Sequence, residues 1–145
     1  MNSTIDGVVV TPLKEFKSLG GKVLKAIKSD ENTFAGFGEA YFSFINKGII
    51  RGWKRHKNMT LNIIVPLGSI RFVIYDNRLK SKTYNHFQDI NISIEGYSRL
   101  TIPPMLWFAF QGISSSTNLL LNIADIIHDP EEVDSESLEK FKYHW

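Results

Sequence analysis

The sequence predicts an all-β fold, a sandwich or barrel of short strands, on three observations. Apolar or alternating stretches of strand length recur through the chain, turn residues separate them, and the one stretch with helical character comes late and is acidic.

The first such stretch, 37–45 (FGEAYFSFI), alternates. Period-two counting puts Glu39, Tyr41 and Ser43 on one side and Ala40, Phe42 and Phe44 on the other. Asn46-Lys47-Gly48 then turns the chain into 49–57. If this segment is extended, Lys54 and His56 share a face, and Trp53 and Arg55 point the other way. A strand that ran on without a bulge would add Thr60 and Asn62 to the Lys54 face. Next come 59–66 and 69–75, two apolar runs joined through Gly68, followed by 90–94, 99–111 and 117–124. Asp76-Asn77, Glu95-Gly96 and Ser114-Ser115-Ser116 are the turns between them. A helix is expected around 130–141 (PEEVDSESLEKF), with Pro130 at its start.

At 145 residues the chain fits one domain, 1–145, with its core over about 20–130 and a helical or irregular tail over 131–145. Hydrophobic residues make up 43% and charged residues 22%, an ordinary globular composition that argues against disorder. Cysteine is absent, which excludes disulfides and thiolate metal sites. The N-terminus lacks the basic start and apolar core of a signal peptide, and no run reaches membrane-spanning length. A cytoplasmic protein with no membrane partner is expected. The net charge of +2 is spread along the chain, so a nucleic-acid partner is not expected either.

The exception is the cluster at 51–57 (RGWKRHK). Charge clusters are usually solvated, and a hairpin tip is the plain reading. The alternative is a small barrel whose polar inner face, Lys54 and His56 included, lines a ligand cavity.

The order Arg51-Gly52, two residues, His56-Lys57, an apolar run, Gly68, a second run ending at Asp76, and later Ile102-Pro103-Pro104-Met105-Leu106-Trp107 resembles the cupin sugar-nucleotide epimerases and isomerases. It is similar to the dTDP-4-dehydrorhamnose 3,5-epimerases and to the dTDP-4-keto-6-deoxyglucose 3,4-ketoisomerases, closest at 51–76 and 102–112. The resemblance implies a cupin jelly-roll β-barrel, a homodimer, and a nucleotide-diphosphate sugar bound within the barrel. It also implies proton abstraction next to a ketone with no metal or organic cofactor, in supply of sugars for surface polysaccharide. The base histidine of these relatives falls on Lys54, while the second histidine of the ketoisomerase pair is kept as His56. The epimerase tyrosine has no counterpart within 118–130 (NLLLNIADIIHDP).

Proton removal next to a ketone needs a base and a group that holds the enolate oxygen. Lys54, His56 and Tyr75 are the catalytic candidates, with Lys54 as base or enolate-stabilising cation, His56 as its partner, and Tyr75, or Tyr41 or Tyr97, as opposing acid. Arg51 is expected to bind the diphosphate, and Glu39 to pair with Lys54 or Arg51. Tyr41, Asn62, Trp107 and Gln111 complete the substrate-binding candidates. His56 without an H-x-H partner disfavours a metal-dependent cupin. Two readings remain: an epimerase or isomerase of a nucleotide-linked 4-keto-6-deoxy sugar, or a module that keeps the barrel and binds such a sugar, or a partner enzyme of a glycan pathway, without turnover.

Overall fold

The computed structural model describes residues 4–145. Twelve strands are named among them: β1 (Val9–Pro12), β2 (Glu15–Ser18), β3 (Gly21–Leu24), β4 (Glu39–Phe44), β5 (Ile50–His56), β6 (Leu61–Leu67), β7 (Ser69–Asp76), β8 (His86–Ser93), β9 (Ser98–Ile102), β10 (Trp107–Gly112), β11 (Leu119–Ala124) and β12 (Val133–Ser135). Two five-stranded sheets, in the orders β1-β9-β6-β11-β4 and β12-β5-β10-β7-β8, face one another, and β2 and β3 form a separate hairpin. The all-β cupin jelly roll is as expected, but the two sheets are not closed into a continuous barrel. No helix among the described residues is long and apolar enough to cross a membrane.

The core lies between the sheets. Leu61, Ile63, Val65, Leu100, Ile102 and Leu120 from one face Ile70, Phe72, Ile74 and Phe108 from the other. Burying each such side chain contributes roughly 1.5–3 kcal/mol. The run 99–111, expected as one strand, is two. Pro103 and Pro104 supply no ladder donors, Met105 takes a left-handed φ of 71°, and the chain crosses from β9 in one sheet to β10 in the other.

The expected helix over 130–141 is absent. Pro130–Glu132 and Leu138–Lys140 are single 3-10 turns, with β12 between them on the otherwise open edge of β5. Asp129 caps the first turn by accepting from the amide of Glu131, and β-branched Val133 then leaves it in extended conformation. The chain end lies over the outer face of the β5-β10-β7 sheet. There Phe141, Tyr143 and Trp145 pack on Trp53, Val73, Trp107 and Ala109.

Candidate active site

One end of the space between the sheets is left open as a cavity of about 490 Å³. Its first wall is β5 with β10, presenting Arg51, Lys54, His56, Phe108 and Phe110. Its second is β4 with β11, presenting Glu39, Tyr41, Ser43, Leu120 and Asn122. The basic cluster is therefore not a hairpin tip. Lys54 and His56 share the cavity face as alternation predicts, while Trp53 is fully buried on the other side under Phe141. Arg51 should by the same count lie with Trp53. It reaches the cavity because β5 carries an extra residue where Lys54 pairs with Phe108 but Arg51 with Phe110.

His56 is 7% exposed and stacks on Phe108. Its Nδ1 is bonded to Glu132 Oε1, and Glu132 Oε2 accepts from the amides of Asn58 at 3.1 Å and Met59 at 3.2 Å. Burial would raise the pKa of Glu132, but the bonds from His56 and from these amides outweigh it and hold the carboxyl below the ordinary glutamate range. An ionised acceptor on Nδ1 keeps a proton on that nitrogen, so that Nε2 is the nitrogen through which the ring can take up a proton. Lys54, two residues earlier, is exposed and makes no ion pair or hydrogen bond among the described residues. Arg51 is tied by Nη2 to the carbonyl of Phe44 at 2.7 Å and lies over the ring of Phe110.

On the opposite wall Asn122 pairs with Tyr41 across β11 and β4, and its Nδ2 donates to the Tyr41 hydroxyl at 3.0 Å. Asn122 Oδ1 is buried without a partner. Glu39 accepts from the amide of His128 at 2.7 Å, and among the described residues it forms no ion pair with Lys54 or Arg51. Gly38 fixes this end of the wall: a Cβ there would stand 2.1 Å from the carbonyl carbon of Ile126.

Four expected site residues lie elsewhere. Tyr75 is on the outer face of β7, packed between Phe87 and Phe141 with its hydroxyl bonded to Asn85. Trp107 and Gln111 share that outer face through their pairing with Tyr75 and Arg71, and Trp107 lies under Arg55. Asn62 is on the outer face of the other sheet, bonded to the carbonyl of Thr33 and the hydroxyl of Thr101. The strand does not run on from His56 to Asn62; it turns at 57–60, and β6 begins in the opposite sheet. Glu132, by contrast, was not anticipated, because a helix was expected where it lies. No group of three or more His, Asp or Glu side chains among the described residues is arranged to hold a metal ion.

The sequence model of one family, dTDP-4-dehydrorhamnose 3,5-epimerase, matches residues 2–139. The chain belongs to this family. A solved dTDP sugar isomerase from Desulfovibrio desulfuricans G20 is 32% identical and superposes with a TM-score of 0.90, over 94% of this chain and 87% of that one. The probable low-salt glycan biosynthesis epimerase Agl13 of Haloferax volcanii is 27% identical over 136 residues, 92% of this chain and 87% of its own. The spore coat polysaccharide biosynthesis protein SpsL of Bacillus subtilis is 23% identical, over 97% and 96% of the two chains. Family membership bears out the sequence reading of an enzyme among the nucleotide-sugar epimerases, and the two curated relatives are named for glycan and polysaccharide biosynthesis.

Proposed function

We propose that the protein epimerises or isomerises a dTDP-linked 4-keto-6-deoxy sugar by removing the proton next to the ketone, without a cofactor. The observation that carries this is His56, its Nδ1 committed to ionised Glu132, beside Lys54, which is unpaired among the described residues, on one wall of the cavity. His56 Nε2 takes the proton. Lys54 offers its ammonium to the enolate oxygen, a cation placed where negative charge develops. Arg51, at the cavity face of β5, is a binding group for the diphosphate. Cytoplasmic action fits a chain without cysteine that uses an activated sugar. A homodimer is supported by the outer face of β4, where Phe42 and Phe44 are 62% and 61% exposed.

The test is a proton NMR time course of dTDP-4-keto-6-deoxyglucose in heavy water. The wild type is expected to wash out a ring proton next to the ketone. His56→Ala is expected to slow this by about 10²–10⁴-fold, and Lys54→Ala by about 10²–10³-fold. No exchange with the wild type across a panel of nucleotide 4-keto sugars would overturn the reading.

A further inference from the structure

Resting on the proposed proton abstraction by His56, we infer that Tyr41, oriented by Asn122, is the proton donor on the opposite side of the sugar. Inverting a carbon requires that the proton leave one face and that another arrive on the other. His56 and Lys54 stand on the β5 wall, so the donor has to stand on the wall of β4 and β11. The polar groups on those two strands are Glu39, Tyr41, Ser43 and Asn122; His128 also lines the cavity, but it lies exposed beyond the end of β11. Glu39 is engaged by the backbone amide of His128, a serine hydroxyl is too weak an acid, and an amide is not an acid at all. Tyr41 remains.

Its bonding suits the role. Asn122 Nδ2 donates into the phenol oxygen at 3.0 Å, which leaves the phenol's own proton uncommitted among the described residues. The same N–H stabilises the phenolate left after the proton has gone. Asn122 itself is 2% exposed, and its Oδ1 has no partner although it is buried. A sugar hydroxyl donating to that oxygen satisfies it and sets the ring against Tyr41. The step balances: His56 gains the proton lost from carbon, the enolate carbon gains the proton of Tyr41, and solvent restores both groups.

Tyr41→Phe separates the two half-reactions. In heavy water the variant is expected to keep washing the ring proton out, because His56 can return a deuteron to the face it came from. Formation of the inverted sugar is expected to fall by about 10²-fold or more. Continued washout also reports that the variant is folded. Because the single change strands the Asn122 amide, the double variant Tyr41→Phe with Asn122→Leu, which leaves no unpaired donor, is measured beside it. Inversion at the wild-type rate in either variant, or equal loss of washout and inversion at saturating sugar in the folded variants, would overturn the assignment. Absence of washout in the wild type would instead overturn the epimerase reading itself, and Tyr41's role with it.

Discussion

Glu132 divides its oxygens between His56 on one side and the amides of Asn58 and Met59 on the other, and this division makes its charge matter. In Glu132→Gln the two amides need the single carbonyl oxygen, so the NH₂ group is left to face Nδ1. The imidazole proton then moves to Nε2, and the lone pair that takes the substrate proton is lost. Exchange is expected to fall by about 10²–10⁴-fold with KM little changed, as when a carboxylate that fixes a catalytic histidine becomes an amide. Stability has its own signature. The folded pKa of Glu132 lies below its unfolded value, so its contribution is present above the ordinary glutamate range and is lost as pH falls through that range to the folded value. The deficit of Glu132→Gln, of about 1–3 kcal/mol, should therefore be largest at neutral pH and shrink in acid when followed by urea unfolding.

Elements differed in how far they were legible. β4 was legible because alternation is a local property: Glu39, Tyr41 and Ser43 face the cavity, and Phe42 and Phe44 face out. β5 was legible only from Trp53 to His56. Counting back to Arg51 crosses a bulge, and counting forward to Asn62 crosses a turn, and neither has a sequence signal as plain as a glycine or proline. Tyr75 was ambiguous because β7 is covered on both faces, by core residues on one and by the tail on the other. The tail misled because an acidic segment after a proline fits a helix by composition, whereas its conformation is set by the edge of β5, some 76 residues away from Glu132 in the case of His56. The alternation of Phe141, Tyr143 and Trp145 was a strand-like signal there to be used. Phe141 meets Trp53, Tyr75 and Trp107 at centroid distances of 4.6–5.3 Å. Phe141→Ala should cost about 2–3 kcal/mol, slightly under a fully buried phenylalanine. It should also lower activity, because β12 and Glu132 are held to β5 by the same tail, through the Glu136 amide on the Trp53 carbonyl.

At the scale of the whole molecule, β4 joins the cavity to the outside. It is an edge strand, and its outward residues lie on a sheet face continued by Leu119, Leu121 and Leu67, the last 52% exposed. Elsewhere on that sheet the outer face is covered from within the chain: Arg99, fully buried, is bonded to the carbonyl of Ala26 and to Thr33, and ion-paired with Glu31. Among the described residues Phe42, Phe44 and Leu67 at the apolar end have no such cover, and a second copy related by a two-fold axis would bury the same residues on both sides. Light scattering is expected to give twice the 16.6 kDa mass of the chain. Phe42→Asp with Phe44→Asp puts four like charges into a two-fold interface and should shift the protein to monomer at micromolar concentration. Because Ser43 lies between these positions and Tyr41 directly before them on the same strand, the monomer should also lose part of its exchange activity through a loosened wall, while the binding groups of β5 stay in place. A wild type that is monomeric at all concentrations would leave this face to a different protein partner.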